Sequence, residues 1–145
     1  MPSFKVFDIA GSGLSAQSVR LNTVASNLAN ADSVSGDPAT VYKARHPVFE
    51  AVRASLGSQA QSGPSQGAGA AVRVTGIVES KAAPSSRYEP GNPLADSNGY
   101  VYAPNVNVVE EMVDMISASR AYQNNVEVLN TSKDLMLATL KLGQG

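Results

Sequence analysis

Cysteine is absent from the 145-residue chain, which removes disulfide frameworks and thiolate metal sites together. That absence fits any compartment and selects none. Charge is also scarce, at 16% of residues against about 25% in an ordinary globular protein. The formal net charge is -1, so there is no electrostatic basis for binding nucleic acid or an anionic membrane surface. No apolar run approaches the ~18 residues of a membrane span. Behind Lys5, Asp8 interrupts the apolar stretch Val6 to Ala10, which excludes the uninterrupted core of a cleavable signal peptide. By these rules alone the chain reads as a soluble cytoplasmic protein of one domain.

What is present is concentrated at the two ends. Phe4, Phe7, Gly11, Leu14, Ser18, Leu21, Ala25 and Leu28 fall at alternating steps of three and four, the a/d spacing of a coiled coil. Five carry large apolar side chains; the other three are small enough to admit a close partner. The remaining faces are rich in Ser, Asn, Gln and Thr, and only Lys5, Asp8 and Arg20 are charged. Gly11 and Gly13 each cost ~1 kcal/mol of helix stability relative to alanine. Such a helix is suited to being touched by protein on several sides and to being weak until it is.

The C-terminal end carries a second helix. Asn107 can cap it, with Glu110 completing a variant capping box, Glu111 and Asp114 favouring its positive end, and Lys141 and Gly143 its close. Met112, Met115, Ser119, Tyr122, Val126, Leu129, Lys133, Met136 and Leu140 again alternate by three and four, and Val109, Val113, Ile116 and Leu137 widen the apolar face. Between the helices, Ser33 to Pro38 is turn chemistry, and Val41 to Ala44 and Val48 to Val52 read as extended. Residues 57–71 form a flexible low-complexity loop, Val72 to Val78 a strand kinked at Gly76, and Pro84 to Pro104 irregular chain with one hairpin. The expectation is a mainly α fold. Residues 1–31 and 105–145 form an antiparallel, coiled-coil-like helix pair, and 32–104 an irregular or β insertion. Burial along one seam falls far short of the entropy cost of ordering both helices, so contact with neighbouring molecules is expected to supply the rest.

Signals for chemistry are weak. His46 is the single histidine, with no nucleophile placed beside it. Gly11-Ser12-Gly13 lacks the strand and lysine of a phosphate loop, and Asp96-Ser97-Asn98-Gly99 lacks the alternating ligands of a calcium loop. Small residues for helix packing explain the first and a turn explains the second. Glu110 and Glu111 are adjacent and so point apart on a helix; dipole and capping roles account for both. Arg120 and Tyr122 are candidates for contacts between molecules or within one. No catalytic residue, cofactor or metal is expected.

Residues 13–33, GLSAQSVRLNTVASNLANADS, resemble the N-terminal motif shared by flagellar rod, hook and hook-associated proteins. Residues 88–144, from YEPGNPLADSNGYVYAPNVN to LATLKLGQ, are similar to the FlgC-type proximal rod proteins of the bacterial flagellar basal body. The likeness covers roughly 3–54 and 72–144. It departs after Asn30, where many relatives have a compact Thr-x-Gly-Tyr turn and this chain has Asp32-Ser33-Val34-Ser35-Gly36-Asp37-Pro38 before Tyr42. The resemblance implies a structural protein, not an enzyme. Its partners would be other rod proteins, copies of itself and the flagellar type III export apparatus, and it would reach the rod in the periplasmic space without a cleaved signal. That overrides the cytoplasmic reading. Assembly and packing are expected to rest on Phe4, Phe7, Leu14, Leu21, Leu28, Met112, Met115, Ile116, Tyr122, Val126, Leu129, Met136 and Leu140. The alternative is a soluble helical binding module such as an export chaperone, which would form a stable helical dimer in isolation.

Overall fold

A computed structural model describes residues 2–53 and 70–143 of the chain. The elements are α1 (Pro2–Ala29), β1 (Arg45–Arg53), β2 (Ala70–Glu79), β3 (Ser85–Tyr88), β4 (Tyr100–Ala103) and α2 (Val108–Leu142). Of the expected flexible loop 57–71, Ala70 and Ala71 belong to β2; the rest lies outside the described residues. Mainly α with a β middle is therefore the architecture.

The start of α2 follows its local signals. The Asn107 side chain accepts a hydrogen bond from the Val109 N–H, and Glu110 and Glu111 occupy the first turn. Among the described residues the return bond from Glu110 that would complete a capping box is absent. At the far end the Gly143 N–H donates to the carbonyls of Lys141 and Thr139. By contrast, α1 has no acidic residue in its first turn and no basic residue in its last. Its macrodipole is left uncompensated.

The two helices run antiparallel. Asn27 meets Glu111, Arg20 meets Asp114, Gly13 faces Asn125, and Val6 shares a cleft with Ser132, Leu135, Met136 and Thr139. The line of closest contact is not the line of large apolar residues. In α1 the buried positions are Ala10, Ala16, Thr23, Val24 and Asn27. Phe7, Leu14, Leu21 and Leu28 are only half-buried, and Gly11, Ser18 and Ala25 are exposed. Small side chains bring helix axes closest together, so the leucine line is displaced to the flank of the contact. Gly13 shows how tight the approach is, since a Cβ there would lie 2.8 Å from Asn125 Nδ2.

Between the helices, β1 and β2 form an antiparallel ribbon whose register shifts at Val48/Phe49, where Thr75 is the extra residue beside Gly76. α1 packs along this ribbon, and the Val72 N–H donates to Ser12 Oγ. The strand is longer than Val48 to Val52 suggested because Pro47 sits inside it, a position that sequence rules assign to an edge. β3 and β4 form the expected hairpin, and Ser35 from the expanded turn pairs with Tyr102 on the other side of β4. The Asp96 carboxylate turns inward to the N–H groups of Asn98 and Tyr100, and Gly99 has φ 81, so this is a turn built for glycine. Val41, Ala44 and Val101 are buried, and Asn105, just ahead of α2, ties the Ala44 N–H to the Ala82 carbonyl.

Candidate assembly interface

Two features outside the ordinary core stand out: a buried polar cluster at one end of the helix pair, and an apolar face that points away from it.

The polar cluster centres on Asn27, which is 0% exposed. Its Nδ2 donates to Glu111 Oε1 at 2.8 Å and to the Arg45 carbonyl at 2.9 Å. Its Oδ1 accepts from the Arg45 N–H and from the Tyr42 hydroxyl, both at 2.9 Å. A carboxamide has two donors and two acceptor lone pairs, and all four are used. The assignment of oxygen and nitrogen is forced, because a flipped amide would set donors against donors. One side chain thus joins α1, α2 and the first residue of β1.

Glu111 is 5% exposed, and its Oε2 finds no hydrogen-bond partner among the described residues. Arg45 lies 5.4 Å from the Tyr42 ring centroid and pairs with Glu79 at 3.1 Å. Burial pushes the Tyr42 hydroxyl above its ordinary pKa, with Arg45 opposing and Glu111 and Glu79 adding to the rise. Its linkage sign follows from that direction. A raised folded pKa gives stability that is fully present below the unfolded value, about 10, and is lost as pH climbs through the folded value. Unfolding free energy is therefore expected to fall above about pH 10. Tyr42→Phe should flatten that alkaline limb, as read by urea titrations at stepped pH.

The role of Glu111 is missed by the dipole argument, yet a signal exists. Glu111, Met115, Ala118, Asn125, Leu129, Ser132 and Met136 form the inner line of α2, at heptad spacing, each buried or half-buried. A polar residue in such a line is a known register device. The expected seam shares Met115, Leu129 and Met136 with it. Val126 is half-buried beside it, whereas Met112, Ile116, Tyr122 and Leu140 are exposed. Phe4 lies in α1, its side chain outside the described residues. His46 is exposed on β1, and the described residues hold no cluster of three or more metal-ligating side chains.

The apolar face lies on the opposite side of α2. Val109 is 70% exposed, Met112 53%, Val113 61% and Ile116 52%. At 100° per residue these four share one side of the helix, away from the line of Glu111 and Ala118. Further along, a shallow groove is lined by Val113, Ile116, Ser117, Arg120, Ala121 and Asn124, and Leu135, Leu137, Leu140 and Leu142 are exposed toward the C-terminus. An exposed apolar group of this kind is a candidate contact surface. No helix is long and apolar enough to cross a membrane among the described residues.

Known proteins share both ends and the middle. Residues 7–36 match the family described as "Flagella basal body rod protein", and 97–142 match "Flagellar basal body rod FlgEFG protein C-terminal". The flagellar basal-body rod protein FlgC of Salmonella typhimurium is 55% identical over 144 residues, spanning 99% of this chain and 100% of the relative. The chain belongs to the FlgC family. Escherichia coli O157:H7 FlgC is 54% identical over the same coverage, and Borreliella burgdorferi FlgC is 37% identical over 155 residues, covering 100% of both chains. In this FlgC-family chain the matched segments hold α2, α1 from residue 7 onward and the Asn27–Glu111 contact that joins them.

Proposed function

We propose that this chain is a structural subunit of the flagellar basal-body rod, acting through packing rather than catalysis and polymerising through its terminal helices. The carrying observation is the apolar side of α2 at Val109, Met112, Val113 and Ile116, turned away from the chain's own core. The half-buried leucine line of α1, Leu14, Leu21 and Leu28, supplies a second apolar flank. Two such faces on different sides of one helix pair suit side-by-side packing of many copies and of related rod subunits into a tube, with β1–β2 and β3–β4 directed outward. In that setting the pair becomes coiled-coil-like across subunits, with Phe4, Phe7, Tyr122, Val126 and Leu140 contributing.

The same features suit passage through the flagellar export apparatus without a cleaved signal. A helix with few charges and uncompensated ends unfolds at little cost, and it orders again when neighbours cover it. The ends of the pair away from Asn27 are the ones with most to gain, because Leu135, Leu137, Leu140 and Leu142 are exposed. Localisation follows as the basal-body rod in the periplasmic space. The chaperone alternative loses its ground with family membership.

The direct test is density for this chain within the rod of a purified basal body. Leu21→Asp and Leu129→Asp should abolish incorporation while expression and export persist, read by basal-body composition and by secretion. Normal assembly of Leu21→Asp would remove that residue from the interface; Leu129 lies on the inner line of α2, so its variant tests the α1–α2 contact on which that interface is built. Deleting residues from within 58–69, outside both matched segments, should leave incorporation within about twofold of normal, as expected of a low-complexity tract.

A further inference from the structure

The ribbon β1–β2 has an outer edge on β1, and the row of N–H and C=O groups along such an edge is a template for another strand. Arg45 shows how the edge is managed. Its backbone N–H donates to Asn27 Oδ1 and its carbonyl accepts from Asn27 Nδ2, both at 2.9 Å. A residue on a neighbouring antiparallel strand would make the same pair of bonds. The amide is held in that orientation from behind by Glu111 and Tyr42. Two residues along, on the same side of the pleat, stands Pro47, which has no N–H to offer. One residue further the register breaks at the Val48/Phe49 bulge. Two successive devices thus act on one edge within three residues, while the extra residue of the bulge belongs to β2. The ribbon needs them, since Val48, Phe49, Ile77 and Val78 are exposed large apolar side chains that would favour stacking once pairing began.

We infer that the Asn27 carboxamide is a strand-edge cap, which keeps β1 from pairing with a strand of a second copy before the chain reaches its place of assembly. The cap belongs to α1, so it is present only while α1 is folded against Arg45. Loss of α1 structure and exposure of the edge are one event.

The test compares the full-length wild type with Asn27→Ala, Val24→Ala and Tyr42→Phe. Val24 is a buried α1 residue whose side chain has no hydrogen-bonding group, so Val24→Ala reproduces a loss of stability while leaving the Asn27 bonds to Arg45 in place. Tyr42→Phe removes one support and leaves both bonds to Arg45. Each chain is held at the urea concentration that leaves the same small fraction unfolded, and conversion to thioflavin-binding material is timed. Asn27→Ala should convert at least about tenfold faster than the other three, as removing an edge guard predicts. The amides of 45–52, Pro47 apart, should be protected from exchange in its product. Equal rates for Asn27→Ala and wild type or Val24→Ala would overturn the cap. So would a Tyr42→Phe rate matching Asn27→Ala, or a product in which 45–52 exchange freely.

Discussion

Asn27→Ala should lower the unfolding free energy by about 3–5 kcal/mol, a large share of the roughly 5–15 kcal/mol that holds a domain together. The alanine withdraws four hydrogen bonds at once and supplies none. It leaves the Arg45 N–H and carbonyl, the Tyr42 hydroxyl and Glu111 Oε1 without the partner they have now. Glu111 matters most, because its other oxygen is already without one. A buried carboxylate stripped of its last donor must recruit water, which loosens the junction of α1, α2 and β1. Asn30→Ala is the matched control. Its side chain is bonded only to the Ser26 carbonyl, at an exposed site, so its loss should change stability by no more than about 0.5 kcal/mol. Urea unfolding of both variants decides the matter, and a shift below about 1 kcal/mol for Asn27→Ala would show that the four bonds do not act as a unit.

Ile116→Asp should do the reverse, sparing the chain and disabling the rod. Ile116 is exposed on the back of α2, so an aspartate there meets water in the lone chain, and stability should stay within about 0.5 kcal/mol of wild type. In a packed tube the same position loses the burial of an isoleucine, about 2 kcal/mol, and desolvates a charge as well. At 1.4 kcal/mol per factor of ten, incorporation should fall at least about a hundredfold. Ile116→Leu keeps apolar volume and should assemble normally. Counting subunits per purified basal body, with urea unfolding of the same variants beside it, separates an assembly defect from a folding defect.

Legibility in the sequence divides along physical lines. The bounds of α2 were readable because caps are local: Asn107 reaches only to Val109, and Gly143 only to the last turn. The β3–β4 hairpin was readable because glycine at 99 announces a turn. The contact line between the helices was not readable from large apolar residues. Here the buried positions of the helices include Ala10, Ala16 and Ala118, and Gly13 lies close against Asn125, and volume-based patterns pass over small residues. Nor could Asn27 and Glu111 be paired, as they stand 84 positions apart and each has an adequate local explanation. The large apolar residues were legible as a pattern, but among the described residues the pattern divides between half-buried positions such as Leu21 and Leu129 and exposed ones such as Met112 and Ile116.

The tie between α1 and α2 also resists sliding. Arg20–Asp114, Asn27–Glu111 and the close fit of Gly13 against Asn125 lie at three stations along the pair. To shift one helix by a heptad, roughly 10 Å at 1.5 Å per residue, all three must let go together, and Arg45 and Tyr42 with them. Shear of one helix along the other therefore has no small first step, and the pair holds a single register.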